Sequence, residues 1–109
     1  MSGTIASLSH HVYFWLKNPE SKQDQLQLLR GVQTLTSIET IKGFHIATPA
    51  ATEDRNVIDN SYSVSWLAFF DSESDEQIYQ THPTHLKFIA DYEHLWSKVV
   101  VYDSVQAAV

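Results

Sequence analysis

The sequence predicts an α+β domain in which helices cover one face of a four-stranded antiparallel sheet. Four segments rich in β-branched and aromatic residues alternate with two amphipathic stretches, in the order strand, helix, strand, strand, helix, strand. The chain has 109 residues, enough for one hydrophobic core, and neither an internal repeat nor a low-complexity segment divides it. We expect the domain to span residues 10–105, with a flexible N-terminus at 1–9 and a tail at 106–109.

The first predicted strand, "HHVYFWLK" at residues 10–17, is bulky on both of its faces. Its two alternating sets are His11, Tyr13 and Trp15, and Val12, Phe14 and Leu16. Outer faces of small antiparallel sheets are commonly wet, so a strand that is apolar on both faces is expected to be covered on both.

The first helix is predicted to follow at roughly Pro19 to Thr36. Asn18 is a good N-cap residue, and Pro19 stands at the first helical position, which favours proline. The apolar stripe of this helix consists of Leu28, Leu29, Val32 and Leu35.

Two strands and a long loop are predicted in the middle of the chain. Residues 40–49 form a less regular second strand, in which Gly43 predicts a bulge. The polar run at 50–61 predicts a loop, and residues 62–70 alternate as a third strand.

The second helix is predicted to be broken by a proline. Ser74, with Gln77 three residues later, is typical of a helix start, and Pro83 ends the helix that begins there. The helix then restarts at Pro83 and runs to about Leu95, before a fourth strand at residues 97–104.

This order of elements, with both helices on one side, is the ferredoxin-like βαββαβ arrangement, and it leaves one sheet face open. The residues assigned to that face are His11, Tyr13, Trp15, Tyr62, Val64 and Trp66. An aromatic patch of this size marks an interface or a ligand site. We therefore predict a homodimer whose two sheets close face to face into a barrel. His11, Tyr13, Trp15 and Trp66 are expected to bind ligand in its lumen.

Composition excludes several classes of function. The 13 acidic and seven basic residues give a formal charge of −6 without a basic cluster, so neither nucleic acid nor a membrane is expected as a partner. Absence of cysteine excludes thiol catalysis and zinc–thiolate sites. With no signal peptide or apolar span in the sequence, a soluble, cytoplasmic protein is expected.

The stretch "YQTHPTHLKF", residues 79–88, carries the candidate chemistry. Steps of 100° along the restarted helix turn His85 inward beside Ile89 and Tyr92. His85 is therefore either a hydrogen-bonded core histidine or a catalytic base near pH 7, with Tyr79 as its acid partner. His82, directly before Pro83, is expected to orient the start of the helix and to lie near the ligand.

No metal or cofactor is predicted. His82 and His85 are three residues apart, a usable ligand spacing, but a third ligand would have to come from His11, His45 or a distant carboxylate. The sequence contains no nucleophile elbow, phosphate-binding glycine loop or dinucleotide fingerprint.

The stretches "HHVYFWLKNP", "SYSVSWLAFFDS", "YQTHPTHLKF" and "LWSKVVVYDS" together resemble the stress-responsive dimeric α/β-barrel family, Dabb. The resemblance covers residues 10–105 and implies a ferredoxin-like protomer and a dimeric barrel. A plant polyketide cyclase of this family works without a cofactor. By position, its catalytic histidine and tyrosine match His85 and Tyr79, and a further pocket histidine matches His11. Where that cyclase has another pocket histidine, this chain has Tyr62-Ser63-Val64, so neither substrate nor reaction is carried over.

Three functions remain open from the sequence. The first is a small Dabb protein of unassigned activity with a pocket for a small apolar or aromatic ligand. The second is a cofactor-independent acid–base enzyme that uses His85 and Tyr79. The third is a monooxygenase on the same kind of barrel, which no sequence motif favours.

Overall fold

The computed structural model describes residues 6–109. Its strands and helices are β1 (Leu8–Leu16), α1 (Lys22–Gln33), β2 (Gly43–Ala47), β3 (Val64–Phe70), α2 (Glu73–Thr81), α3 (Pro83–Tyr92) and β4 (Trp96–Val105). Short 3-10 turns at Thr34–Ser37 and Glu93–Leu95 extend α1 and α3. The segment between β2 and β3, residues 48–63, contains neither helix nor strand, as the polar run predicts.

The four strands form one antiparallel sheet in the order β2-β3-β1-β4. The predicted ferredoxin-like α+β fold is therefore confirmed. Along β1, residues alternate strictly between buried and half-buried, so one set of side chains faces the helices and the other faces away.

The hydrophobic core lies between the helices and the sheet. From the strands it takes Leu8, Val12, Phe14, Leu16, Val64, Trp66, Ala68 and Phe70, and from the helices Leu28, Val32, Leu35, Tyr79 and Phe88. The predicted apolar stripe of α1 thus faces the sheet, with Leu29 packed at its margin. Among residues 6–109, no helix is both long enough and apolar enough to cross a lipid bilayer.

The assignment of Val64 and Trp66 to the open face is wrong. Trp66 stands directly opposite Val12 in the β1–β3 register, so both side chains point into the helix-covered core. The alternation of the third strand fails at Ser63, whose N–H donates to the Phe14 carbonyl over 2.7 Å before β3 begins. Tyr62 lies before this irregular point and does reach the open face, where its ring packs 4.9 Å from that of Tyr13.

The start of α1 also differs from the prediction. Asn18 is not the N-cap; its carbonyl accepts from the N–H of Ser21 over 3.0 Å, which closes a turn containing Pro19. Ser21 is the N-cap, and its hydroxyl accepts from the Asp24 N–H over 3.1 Å. Proline suits the second position of a β-turn as well as a first helical turn, so the two could not be told apart in the sequence.

Other element boundaries shift by a few residues. Ser72, rather than Ser74, caps α2 by accepting from the Asp75 N–H over 3.1 Å. The register of β2 runs unbroken from Gly43, so the predicted bulge is absent there. β1 begins at Leu8, inside the segment predicted to be flexible, and residues 1–5 of that segment lie outside the described residues.

The predicted proline break is confirmed, and His82 forms the joint between α2 and α3. It ends α2 and is the N-cap of α3, with its Nδ1 accepting from the Thr84 N–H over 3.1 Å. Because Nδ1 accepts, the ring hydrogen is on Nε2, which lies 3.3 Å from a carboxylate oxygen of Glu39. His82 thus orients the start of α3, as expected.

Candidate functional site

A cavity of about 300 Å³ opens between the helices and the sheet. Its polar side chains are His10, Tyr79, Gln80 and His85, and its aromatic walls are Phe14, Trp66, Phe88 and Trp96. Glu93, Val99 and Val101 also line it and are exposed, so the mouth lies between the end of α3 and β4. Of the predicted site residues, the structure brings His85, Tyr79 and Trp66 together here.

The proline break supplies the hydrogen bond that orients His85. In an unbroken helix the Gln80 carbonyl would accept from the N–H of Thr84. That N–H donates to His82 instead, and the Gln80 carbonyl lies 3.0 Å from Nδ1 of His85. Since a carbonyl only accepts, Nδ1 of His85 carries the hydrogen, and Nε2 keeps the free lone pair of the neutral ring.

Burial holds His85 in its neutral form. The half-buried ring has a pKa lowered from its ordinary 6.5, chiefly because burial penalises the charged imidazolium. The hydrogen bond to Gln80 opposes that shift, His10 adds to it, and Glu76 opposes it. At neutral pH the free-base form therefore prevails, as a general base requires.

Tyr79 stands beside His85 with its proton retained. The two ring centroids are 4.6 Å apart, and the tyrosine side chain is almost fully buried. Its hydroxyl accepts from Nε1–H of Trp66 over 3.0 Å, which leaves its own hydrogen available for a further acceptor. Burial raises the pKa of Tyr79 well above its usual value of 10, so the phenol stays a donor at neutral pH.

His10, which the sequence reasoning missed, is the histidine of β1 that lines this cavity. Only 3% of it is exposed, and its ring meets that of Tyr79 edge-on at 5.4 Å. Its Nδ1 lies 2.6 Å from Asp103 Oδ1; a carboxylate only accepts, so Nδ1 carries the hydrogen. His10 lies on the same face of β1 as Val12 and Phe14, because side chains alternate along a strand. It could have been predicted as a cavity residue only if that face had been known to point toward the helices.

One group of side chains could hold a metal ion. Ligand atoms of His10, Glu76 and Asp103 lie within 4.8 Å of one another, the only such group of three among residues 6–109. The His10 nitrogen that lies near both carboxylates is Nδ1, whose hydrogen is donated to Asp103. A cation bound there would have to displace this hydrogen. Neither His82 nor His85 belongs to this group.

Two of the other predicted ligand-binding residues, Tyr13 and Trp15, lie on the open face in a second hollow of about 410 Å³. It is lined by Tyr13, Trp15, Val57, Asp59, Tyr62, Lys98, Val100 and Tyr102. His11 stacks on Tyr13 at 4.3 Å, and the indole N–H of Trp15 donates to the Ser61 hydroxyl over 3.0 Å. Lys98 lies 4.5 Å above the ring of Trp15.

The predicted grouping of Trp66 with His11, Tyr13 and Trp15 in one ligand site is therefore wrong. His11, Tyr13 and Trp15 alternate with the core-facing residues of β1, so the sheet itself separates them from His85. His82 lines neither the cavity nor the open-face hollow.

The strand order, the single helical layer and the cavity beneath it define a ferredoxin-like α+β protein. A family model described as the stress responsive A/B barrel domain, Dabb, matches residues 8–106. The chain belongs to the Dabb family.

Solved structures share this fold at low sequence identity. A Dabb-family protein from Mesorhizobium loti is 21% identical with a TM-score of 0.75, covering 93% of this chain and 97% of its own. A dimeric ferredoxin-like protein of unknown function from Thermobifida fusca is 18% identical with a TM-score of 0.72, covering 92% and 91%. The hydroxynitrile lyase from Passiflora edulis is 20% identical with a TM-score of 0.75, covering 97% and 98%. No curated protein matches the chain significantly.

Proposed function

We propose that the cavity binds a small apolar or aromatic carbonyl compound and catalyses a cofactor-independent proton transfer. The observation that carries this proposal is the fixed ring of His85. Its Nδ1–H is held by the Gln80 carbonyl at 3.0 Å, so Nε2 is a free base beside the protonated hydroxyl of Tyr79. A base and an acid at one end of an apolar cavity are the groups that enolisation requires.

The proton moves from the carbon next to the carbonyl group to Nε2 of His85. Negative charge then develops on the substrate oxygen, and the Tyr79 hydroxyl stabilises it by donating a hydrogen bond. The imidazolium formed at the same moment keeps its Nδ1–H bond to Gln80, and the nearby carboxylate of Glu76 also favours it. Return of the proton to carbon or to a leaving group completes the reaction and restores His85.

The Passiflora edulis hydroxynitrile lyase shows that a protein of this fold can be a lyase. Fold similarity alone is a weak warrant for activity, so the proposal is supported mainly by the geometry of His85 and Tyr79.

Hydrogen–deuterium exchange tests the proposal directly. The protein is added to 4-phenylbutan-2-one in D₂O, and loss of the protons next to the carbonyl group is followed by NMR. We expect His85→Gln to lower the catalysed rate by about 10²- to 10⁴-fold, the usual contribution of a positioned base. The matched control is His94→Gln, which alters an exposed histidine outside the cavity and should leave the rate unchanged. Equal rates for wild type and His85→Gln would contradict the proposal.

A non-catalytic binding protein is the second candidate, and the burial of Tyr79 favours it. Only 1% of this residue is exposed, and its hydroxyl already accepts from Trp66, so a ligand must enter the closed end of the cavity to reach it. Binding of 4-phenylbutan-2-one by calorimetry, without any protein-catalysed exchange, would select this candidate. The monooxygenase alternative stays a prediction.

We also propose that two copies of the chain pair through their open sheet faces. This face exposes Tyr102 and part of Tyr13, Trp15 and Tyr62, an aromatic surface of the kind that marks an interface. The Thermobifida fusca relative is described as dimeric, which supports the formation of a dimer. Sedimentation equilibrium should give twice the chain mass at micromolar concentration; a monomer would contradict the pairing.

A further inference from the structure

The cavity of His85 and Tyr79 is surrounded by carboxylates. Glu93 is the only Asp, Glu, Lys or Arg that lines the cavity within residues 6–109. Behind the polar end stand two more carboxylates. Asp103 accepts from His10 over 2.6 Å, and Glu76 lies 3.9 Å from the same nitrogen.

The basic side chains lie elsewhere. Lys87 projects from α3 to pair with Asp91 over 2.8 Å, and Lys98 lies above Trp15 on the opposite face of the sheet. Lys42, directly before β2, pairs with Asp71, directly after β3. None of these lysines lines the cavity.

The uncharged groups inside the cavity offer little compensation for an anion. His85 is held neutral by burial, and its only ring hydrogen is committed to Gln80. Tyr79 supplies a single donor hydrogen, which suits a carbonyl oxygen. A ligand carboxylate would bring two charged oxygens into a cavity lined by no Lys or Arg and with the carboxylate of Glu93 at its mouth.

The walls favour a flat apolar group. Phe88 stacks on Trp96 with centroids 5.7 Å apart, and Phe14 contacts both rings at 6.1 and 5.0 Å. Aromatic ligands pack well against such edges and faces.

We propose that this cavity accepts neutral carbonyl compounds with an aromatic tail and rejects the corresponding carboxylates, and that Glu93 is a specificity-determining residue at its mouth. This inference rests on the proposed function, because it names the class of substrate for the same site. Glu93 acts by repelling a ligand anion as it enters, and its own role requires no contact with the reacting atoms.

Two probes of nearly the same shape separate the effect of charge from that of size. They are 4-phenylbutan-2-one and 3-phenylpropanoate, in which a carboxylate oxygen replaces a methyl group. Dissociation constants are measured by calorimetry at low salt. We expect the ketone to bind wild-type protein at least about ten-fold more tightly than the carboxylate, as expected for one repulsive charge pair at intermediate dielectric constant.

Glu93→Gln removes the charge with little change in shape, and Glu93→Lys reverses it. We expect Glu93→Gln to improve carboxylate affinity by about three- to ten-fold, Glu93→Lys to improve it further, and neither to alter ketone affinity. Both gains should shrink in high salt, because Glu93 is exposed. Glu20→Gln is the matched control: it removes an exposed carboxylate outside the cavity and should change neither affinity.

The two probes distinguish loss of charge selection by Glu93 from loss of ligand binding by the cavity. If the ketone binds but the carboxylate binds equally well, or if Glu93→Gln and Glu20→Gln behave alike, charge selection by Glu93 is overturned while the cavity remains a ligand site. If neither probe binds, the carbonyl-binding function is overturned, and the selectivity with it.

Discussion

The two faces of the sheet place neighbouring residues of β1 in different surroundings. On the helix-covered face, β1 buries His10 and Phe14 beside Tyr79 and His85, where each ring nitrogen with a hydrogen has a fixed acceptor. On the open face, the adjacent Trp15 is half-buried next to an exposed lysine. Acid–base chemistry needs desolvated and oriented groups, whereas association needs exposed aromatic surface. Alternation along one strand provides both.

Truncation of two adjacent residues of β1 should therefore have different effects on stability. Phe14→Ala opens a cavity in the core and should lower the free energy of unfolding by about 3–5 kcal/mol. Trp15→Ala removes a partly exposed ring and should cost only about 1 kcal/mol. Urea denaturation at a protein concentration low enough to keep the chain monomeric measures both.

Dimer formation should depend more on Trp15 than on Phe14, the reverse of their effects on stability. Trp15→Ala is expected to weaken the dimer in sedimentation equilibrium, and Phe14→Ala to leave the dissociation constant near that of wild type. Weakening of the dimer by Phe14→Ala alone would break the assignment of the two faces.

Tyr79→Phe should give the next largest effect on stability. It leaves the buried N–H of Trp66 without its acceptor, which costs about 1–3 kcal/mol. The same change removes the hydrogen bond proposed for the substrate oxygen, so exchange of 4-phenylbutan-2-one should slow as well. A variant as stable as wild type would show that this hydrogen bond contributes nothing.

His82 should affect stability through its role as the N-cap of α3, although it lies only three residues from His85. His82→Ala removes the N-cap of α3 and should lower stability by about 0.5–2 kcal/mol, whereas His82→Asn can keep a capping acceptor and should lose less. Thermal denaturation compares the two variants. If His82→Ala and His82→Asn lose the same stability, capping is not the role of this residue.

The smallest effect expected is a dependence of stability on pH that belongs to His85. Its folded pKa is lowered from 6.5, so below pH 6.5 the unfolded chain binds a proton that the folded chain does not. Stability is therefore fully present above pH 6.5 and is lost as pH falls toward the lowered folded value. His85→Gln should remove this part of the pH profile. An unchanged profile would mean that the pKa of His85 is not lowered in the fold.

The exchange rate should fall only as the pH drops through the lowered pKa of folded His85, because protonated His85 cannot act as a base. Tyr79, with its raised pKa, should cause no loss of rate at mildly alkaline pH. The profile is measured by following the exchange of 4-phenylbutan-2-one across this range.

Much of the fold could be predicted from the sequence, because helices and strands differ in the period of their apolar residues. The inward direction of His85 followed from helical phase, and the break at Pro83 from the chemistry of proline. The first residues of α1 and α2 could not be fixed, since Asn18 and Ser21, or Ser72 and Ser74, are equally good caps by type.

The side of the sheet on which each candidate lies was harder to predict. Both alternating sets of β1 are large and apolar, so periodicity alone could not say which one faces the helices. His10 was missed for this reason, and His11 was placed with the catalytic pair. Trp66 was assigned to the wrong face because the hydrogen bonds of Ser63 interrupt the alternation after Tyr62, and nothing local in the sequence reveals them.

We propose that ligand binds on the helix-covered face of the sheet, and the three tryptophans can report on its position directly. Trp66 and Trp96 line the cavity, whereas Trp15 lies in the open-face hollow. Indole N–H signals in a ¹⁵N–¹H NMR spectrum resolve the three during titration with 4-phenylbutan-2-one. We expect the signals of Trp66 and Trp96 to shift and that of Trp15 to stay in place. A shift of Trp15 alone would contradict the assignment of the site.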